Sequence, residues 1–304
     1  MGPGLLRYIA GRLALVATAA VILSWTVFLL VHALPGSPFS GSERMTDRRE
    51  ALLLQRAGLN DPYPVQYLHW LQSYFAGGLS PLLMREAWIS VRLGLLAMLL
   101  ILVFGIWAGV TAAARHGTRT DHIVTFGASV GYAVPNFVWA MWISFFFTAV
   151  LNHWSGGFLY VDVFWQGQPI QWLLPAIALA LPQSGLIARV VRASVLDTLG
   201  QDYVRTAWAK GVPERAVLVR HALRNALIPL VTLMGPIAVA TLMGSIVVEK
   251  AFGIPGLGTD LIQSIFGRAY FTVTGLFTYY SVLAGLAMLG VDLAYAALDP
   301  KIRY

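Results

Sequence analysis

The sequence predicts an all-α membrane protein with six transmembrane helices and with both termini in the cytoplasm. Of the 304 residues, 58% are hydrophobic and only 12% are charged, and the mean hydropathy is +0.69. A soluble protein carries roughly 25% charged residues to keep its surface hydrated. The apolar residues are gathered in charge-free runs, and the cationic residues lie mostly between these runs. This composition excludes ordinary cytosolic enzymes, and it assigns the net charge of +7 to membrane-flanking loops rather than to nucleic-acid binding.

The six predicted spans each approach or exceed the length that a bilayer requires, which is about 20 apolar residues. The third span is interrupted by Pro135-Asn136, and the fourth contains Pro175 and Pro182. The first span is longer than the apolar core of a signal peptide, so we expect it to be retained. The predicted spans are residues 13–33, 93–114, 123–151, 172–188, 225–248 and 269–291.

The distribution of Lys and Arg sets the predicted orientation. With the N-terminus inside, most of the 21 cationic residues fall in cytoplasmic segments, and the outer loop between spans three and four has none. Residues 34–92 then form an extracytoplasmic loop, and residues 189–224 form a cytoplasmic coupling loop. Spans two to five are rich in Gly, Ala, Ser and Pro, and we expect them to line the pore.

Two short helices are predicted in the long outer loop. The first covers Asp47 to Ala57, with Asp47 as the N-cap and Gly58 at the stop. The second begins at Pro64 and ends at Gly77-Gly78, with an apolar side formed by Val65, Leu68, Leu71 and Phe75. The pattern leaves two interpretations open, an amphipathic cap on the outer face or a surface loop without a partner.

A short amphipathic helix is predicted inside the cytoplasmic loop. It runs from Asp202 to Lys210, and Gly211 stands where a helix commonly ends in a left-handed residue. The spacing places one apolar group on a single face of this helix: Val204, Ala207, Trp208 and Gly211. Such a helix docks into a groove of a partner protein or lies on lipid headgroups.

The residues that usually carry catalysis, metal binding or nucleotide binding do not form such motifs here. The chain has no cysteine, and its six histidines lack the spacing of a metal site. Its lysines are Lys210, Lys250 and Lys301, and none belongs to a phosphate-binding Gly-x-x-x-x-Gly-Lys loop. Asp292, near the inner end of span six, is interpreted as an interfacial carboxylate. We therefore expect no catalytic residue and no cofactor on this chain.

Two alternative functions follow from a six-span architecture. A secondary transporter would show an internal repeat or an ion site at the midplane, and neither is visible. A rhomboid-like intramembrane serine protease could use Ser129 in Gly127-x-Ser129-x-Gly131, but the later histidines, His153 and His221, lie at the membrane edges. Close helix packing is the preferred interpretation of two small-residue motifs: Gly127-x-x-x-Gly131 and Gly105-x-x-x-Gly109.

Five segments resemble, in order along the chain, the permeases of ABC importers, and specifically the dipeptide/oligopeptide/nickel branch. The cytoplasmic segment is similar to the coupling loop of these permeases, although Arg205-Thr206-Ala207 stands where the general motif has Glu-Ala-Ala. The matching segments are 33–38 (Ala-Leu-Pro-Gly-Ser-Pro), 58–67 (Gly-Leu-Asn-Asp-Pro-Tyr-Pro-Val-Gln-Tyr), 202–211 with 220–229, 249–258 (Glu-Lys-Ala-Phe-Gly-Ile-Pro-Gly-Leu-Gly) and 299–304 (Asp-Pro-Lys-Ile-Arg-Tyr).

The resemblance implies the transmembrane domain of a type I ABC importer in a bacterial or archaeal plasma membrane. The implied partners are a second, homologous permease subunit, two cytoplasmic ATPase subunits that hold ATP and Mg, and an extracytoplasmic solute-binding protein. Peptides, nickel complexes and short glycosides all remain possible substrates, and no substrate contact is assigned. The resemblance implies that the ATPase is contacted through the short cytoplasmic helix: Asp202, Val204, Arg205, Thr206, Ala207, Trp208, Lys210 and Gly211.

Overall fold

The computed structural model describes residues 3–34, 47–56, 58–76, 81–156, 164–213, 216–218, 223 and 228–298. Within these residues the regular structure is helical. The segments predicted at 35–46, at Gly77-Gly78, at most of 214–227 and at 299–304 lie outside the described residues. The helices are α1 (Pro3–His32), α2 (Asp47–Arg56), α3 (Tyr63–Ala76), α4 (Pro81–Ala114), α5 (Arg119–Ala133), α6 (Asn136–Phe145), α7 (Leu151–Trp154), α8 (Leu173–Leu199), α9 (Asp202–Ala209), α10 (Ile228–Phe252), α11 (Leu257–Phe266) and α12 (Tyr270–Leu298).

Among the described residues, five helices are long and apolar enough to cross a bilayer: α1, α4, α8, α10 and α12. The pair α5 and α6, extended by a π-helical turn at Phe146–Val150, passes the same test but is bent by 104°. Six spans result if this bent pair is one span. The predicted third span, 123–151, therefore consists of two helices that meet at a sharp break, at the predicted interruption Pro135-Asn136.

The long helices extend beyond several predicted span ends. Helix α4 begins at Pro81, so residues 81–92, predicted as part of the outer loop, are helical and continuous with the second span. Helix α8 continues through Arg189 and Arg192 to Leu199, into the segment predicted as cytoplasmic loop. A charged residue indicates where a helix leaves the apolar layer of the membrane, but the helix can continue beyond that residue. Charge-free runs of sequence therefore underestimate the length of a helix.

The chain divides into two compact units. The first contains residues up to Ser90 and Pro255–Leu286. In it, α3 packs through Tyr67 and Trp70 around Phe28 of α1. The Tyr67 hydroxyl lies 2.7 Å from Ser24 Oγ, and the Trp70 indole donates to the Phe271 carbonyl at 3.1 Å.

The face of α3 predicted from its aliphatic residues is only partly correct, because Leu71 packs on this cluster but Val65 and Leu68 do not. Val65 and Leu68 are 38% and 53% exposed, whereas Gln66, Tyr67 and Trp70 are buried. Aromatic side chains bury more area than Val or Leu, and their polar tips find partners here, so they displace the aliphatic stripe from the interface. The Gln66 amide also donates to the Leu59 and Asp61 carbonyls, which fixes the turn before α3.

The second unit contains Val91–Ile254 and the end of α12. Its core lies around α8, with Ile101, Ile187, Val191, Val195 and Ile237 buried together. A Cβ added at Gly105 would meet Ile187 at 2.6 Å, and one at Gly109 would meet the Ala188 carbonyl at 2.6 Å. The predicted small-residue packing is thus confirmed for this pair of glycines.

The second small-residue motif behaves differently. A Cβ at Gly127 would meet nothing within 4 Å, so the prediction of close packing is wrong there. Gly131 does lie close to the Leu181 carbonyl, and Gly185 of α8 approaches the Ala128 carbonyl. The α5–α8 contact therefore uses Gly131 with Gly185. Ser129, between the two α5 glycines, donates to the Thr125 carbonyl at 2.9 Å.

The break between α5 and α6 is caused by Pro135, which has no N–H and would leave the carbonyl four residues earlier without its helical donor. That carbonyl belongs to Gly131, and the Trp139 indole donates to it at 3.2 Å. Val134 and Pro135 are extended, with ψ of 124° and 148°, which turns the chain. The break is stabilised inside the protein, as a membrane environment demands.

Candidate functional site

Helix α9 lies where the sequence predicts the coupling helix. Gln201 before it is extended, and its carbonyl accepts hydrogen bonds from the Val204 and Arg205 N–H groups at 3.1 and 3.2 Å. Asp202 occupies the first turn, where a negative charge is favoured by the helix dipole. The first helical turn thus begins directly after α8, with only Gly200 and Gln201 between the two helices.

The C-terminus of α9 is closed by a Schellman motif. The Gly211 N–H donates to the Trp208 carbonyl at 2.9 Å, and the Val212 N–H donates to the Ala207 carbonyl at 3.2 Å. Gly211 has a φ of +78°, a conformation that costs L-residues roughly 1–2 kcal/mol. Glycine at this position therefore stops the helix sharply and fixes its length.

One side of α9 is buried within the chain itself. Val204 is fully buried and Ala207 is 8% exposed, and both pack against Val217. Leu199 and Val212 complete this cluster. The predicted apolar docking face is therefore not free, because two of its four members hold α9 to its own chain.

The rest of the α9 surface carries exposed side chains. Trp208 is 43% exposed and Tyr203 is 45% exposed. At 100° per residue, each lies about 40° of helix rotation from a buried neighbour, so they border the buried seam on opposite sides. Between them lie exposed Thr206 and Arg205, and the Arg205 guanidinium is 3.7 Å from the Asp202 carboxylate. Exposed aromatic and arginine side chains of this kind are typical anchors of protein interfaces.

Helix α8 is joined to α5 by an ion pair in which Asp121 is buried and Arg192 is partly exposed. Arg192 donates to both carboxylate oxygens of Asp121 in α5, with Nε–Oδ1 at 2.6 Å and an Nη–Oδ2 distance of 2.7 Å. The Asp121 side chain is 2% exposed. Bidentate arginine–carboxylate pairs fix orientation as well as distance. Helices α5 and α8 are thus joined near the end of α8 that leads into α9.

The Asp121 carboxylate is also held by its own turn. Its Oδ2 accepts from the Gly117 N–H at 3.0 Å, and its Oδ1 accepts from the Thr125 hydroxyl at 3.2 Å. The His116 Nδ1 lies 3.2 Å from Oδ2. A buried charge needs this degree of hydrogen bonding to offset its loss of water. The cluster is therefore a structural joint with satisfied polar groups.

The Glu249–Gly258 segment begins in the last turn of α10, makes a tight turn at Gly253 and ends in α11. Gly253 has a φ of +65°, and the Ile254 N–H donates to the Glu249 carbonyl at 2.8 Å. Phe252 and Ile254 are buried, and the Phe252 carbonyl accepts from the Trp165 N–H at 3.2 Å. The segment that carries the resemblance is therefore an ordered part of the second unit as far as Ile254.

Comparison with known families decides what this helical protein is. A family model described as "Binding-protein-dependent transport system inner membrane component" matches residues 101–304, which include α9 and the segment after it. The chain belongs to this family. It is a permease of an ABC importer, a multi-pass protein of the inner membrane, and a transport subunit rather than an enzyme.

Relatives of this permease align with it from end to end. It is 34% identical to the "Dipeptide transport system permease protein DppB" of Bacillus subtilis (strain 168), over 98% of each chain. It is 33% identical to the "Oligopeptide transport system permease protein OppB" of Escherichia coli (strain K12), over 99% of this chain and 100% of that one. A "Probable peptide ABC transporter permease protein y4tP" of Sinorhizobium fredii is 33% identical over the full length of both.

A solved structure supports the fold of the permease. The chain resembles one described as "Crystal structure of an amino acid ABC transporter with histidines", with a TM-score of 0.51 and 16% identity. The match covers 73% of this chain and 95% of the other. At this identity the likeness concerns the fold, and it agrees with the predicted type I importer transmembrane domain.

The structure places the predicted coupling residues of the permease in three different environments. Asp202, Arg205, Thr206 and Trp208 are exposed, Val204 and Ala207 are buried, and Lys210 and Gly211 form the helix end. Sequence reasoning missed Tyr203, although its spacing of four residues from Ala207 could have revealed it. It also missed the Asp121–Arg192 pair, because the two residues are 71 positions apart in the chain. Within the part of the chain that the structure describes, no group of three metal-ligating side chains is assembled.

Proposed function

We propose that this permease transports peptides as one half of the translocation path of an ATP-driven importer. The observation that carries the proposal is the end-to-end similarity to permeases named for dipeptide and oligopeptide transport. The similarity extends through the predicted outer loop, the bent third span and the coupling segment. A peptide substrate is therefore preferred over nickel complexes and glycosides.

The partners we propose are a second, homologous permease, two cytoplasmic ATPase subunits and an extracytoplasmic solute-binding protein. The sequence contains no phosphate-binding loop, so ATP and Mg are expected on the ATPase chains. The family description, which refers to a binding protein, supports the outer partner. Membrane lipid surrounds the exposed apolar sides of the long helices, among them Leu95, Leu99 and Phe104 of α4.

Contact with the ATPase is proposed for the exposed side of α9. Trp208 and Tyr203 would enter a cleft of the ATPase, with Arg205, Thr206 and Asp202 at the same surface. Val204 and Ala207 would act differently, since they anchor α9 to Val217 and so transmit its displacement to this chain. Lys210 and Gly211 would keep the helix short enough to fit.

The proposed orientation places α9 in the cytoplasm and α2 and α3 outside. The excess of Lys and Arg around α9 supports this orientation by the positive-inside rule. The permease would then lie in the plasma membrane of a bacterium or an archaeon, and the relatives described above are bacterial.

Substitution of Trp208 tests the proposed ATPase contact. The tagged permease is produced with its partner subunits, purified in detergent, and assayed for co-purified ATPase and for ATP-dependent peptide uptake. We expect Trp208→Asp to lose most of the bound ATPase, because an interface that buries an aromatic anchor loses about 2 kcal/mol or more when that anchor is removed.

Trp154→Asp is the matched control, because Trp154 is also exposed, at 86%, but ends α7 on the proposed outer side. It should retain the ATPase. Equal loss of ATPase in both variants would refute the contact, as would peptide uptake that persists in Trp208→Asp and ignores ATP.

A further inference from the structure

A polar cavity lies at the break between α5 and α6, within the second unit. Its volume is about 330 Å³, near the lower limit of ligand pockets in general. Helices α5, α6, α8 and α10 all contribute to its wall. The lining residues are Tyr132, Ala133, Val134, Pro135, Asn136, Leu179, Pro182, Gln183, Ala240 and Thr241.

Four of the lining residues have polar side chains, none of the lining side chains is charged, and the others are apolar. Asn136 and Gln183 each offer amide donors and an amide acceptor. Thr241 is 3% exposed, and its hydroxyl donates to the Ile237 carbonyl at 2.8 Å, which leaves its oxygen able to accept. The Tyr132 hydroxyl can do both. The wall therefore suits a neutral ligand group that donates and accepts hydrogen bonds.

The backbone adds to this polarity at two places. Helix α5 ends and α6 begins at the cavity, so carbonyl groups of the last turn of α5 and N–H groups of the first turn of α6 lie at its wall. Pro182, in the middle of α8, cannot donate to the Ala178 carbonyl, one turn earlier. Groups of this kind are tolerated at membrane depth only where protein or a water-filled cavity satisfies them.

We propose that this cavity binds the backbone amide of the transported peptide during its passage through the permease. The proposal rests on the peptide function proposed above and adds the residues that contact the substrate. A peptide amide carries one donor and one acceptor, which match the amide and hydroxyl groups of Gln183, Asn136 and Thr241. The lack of charge among the lining residues suits a backbone shared by all peptides rather than particular side chains.

The volume limits how much substrate the cavity holds at once. A space of about 330 Å³ accommodates a short segment, so longer peptides would pass through it in sequence. Binding through the backbone would let one site serve peptides of different sequence, with selection left to the binding protein.

Single thiols test the proposal, since the chain has no native cysteine. Thr241→Cys and Gln183→Cys are each introduced into the permease, and the complete complex is reconstituted with its partner subunits. Labelling by a small, water-soluble thiosulfonate is followed on the permease band, with and without alanylalanine delivered by the binding protein. We expect the dipeptide to slow labelling at both positions several-fold.

Thr278→Cys is the control. Thr278 lies in α12 and is not one of the residues that line the cavity. Its hydroxyl donates to a helix carbonyl at 2.7 Å, as that of Thr241 does at 2.8 Å. Its labelling should not respond to the dipeptide. Thr241→Val should also lower the number of peptides delivered per ATP hydrolysed about two- to tenfold, which corresponds to the loss of one hydrogen bond. Thr278→Val should leave this number unchanged.

The outcomes separate the two proposals. If the complex accumulates alanylalanine while labelling at 183 and 241 is unaffected or never occurs, the cavity proposal is overturned and the peptide function stands. If the intact complex never accumulates the dipeptide, the peptide function is overturned, and the cavity proposal with it.

Discussion

Asp121 is the residue on which the joint between α5 and α8 depends. Its carboxylate is buried, and it meets Arg192 through two charge-assisted hydrogen bonds of 2.6 and 2.7 Å. Thr125 and the Gly117 N–H complete its partners. A pair of this kind contributes little to the free energy of unfolding, because desolvation of the two charges offsets much of their attraction. It does fix the relative position of the two side chains. Its main effect is to fix the register of two helices that also meet at Gly131 and Gly185, and where Arg189 lies over the Tyr132 ring.

Removal of one partner of this pair should be far more harmful than removal of both. Arg192→Met leaves the buried Asp121 carboxylate without its guanidinium partner, and we expect a loss of about 1.5–3 kcal/mol. The double variant Asp121→Asn/Arg192→Met should recover much of that loss. Thermal unfolding of the purified permease measures both effects.

The exposed pair Asp202–Arg205 provides the comparison for this measurement. These side chains are 98% and 70% exposed and their charged atoms are 3.7 Å apart, so Arg205→Met should leave the unfolding temperature unchanged. An Arg192→Met variant as stable as the native permease would show that the Asp121–Arg192 pair does not hold the helices.

At the scale of elements, α8 connects the features that matter for function. It packs on α4 through Gly105 and Gly109 and on α5 through Gly185, and it continues into α9 after two residues. Pro182 on the same helix lines the polar cavity. A displacement of α9 would therefore reach the cavity wall along one continuous, closely packed helix.

Glycine substitutions should separate close packing from helix propensity. Gly109→Ala would place a Cβ 2.6 Å from the Ala188 carbonyl, and we expect a loss of about 1–3 kcal/mol from overpacking. Gly127→Ala meets no neighbour within 4 Å, so it should stabilise its helix by up to about 1 kcal/mol. Opposite shifts in unfolding temperature are expected, and a Gly109→Ala permease that is more stable than the native one would contradict this packing.

Features that depend on local sequence were predictable, and those that depend on distant pairing were not. Asp202 and Gly211 mark the ends of α9 because dipole and left-handed-glycine preferences act over one turn. The burial of Val204 and Ala207 depends on Val217, which belongs to a later segment, so the predicted docking face could not be separated from internal packing. The face of α3 was predicted only in part for the same reason, since Tyr67 and Trp70 are buried by α1 and Phe271.

For the whole molecule, the central claim is that this permease is a passive gate driven by another chain. The sequence supplies no nucleotide-binding loop, and the family description names a component of a binding-protein-dependent system. We therefore expect the energy to enter through the contact proposed for the exposed side of α9. A secondary transporter of the same size would instead carry its own energy coupling in the spans.

Uphill peptide uptake into liposomes tests this claim most directly. The permease alone, and the permease with its partner subunits, are reconstituted in parallel and supplied with labelled dipeptide, the binding protein and an ion gradient, with or without ATP. We predict accumulation above the outside concentration only in the complete complex with ATP. Accumulation by the permease alone, driven by the ion gradient without ATP, would contradict the account.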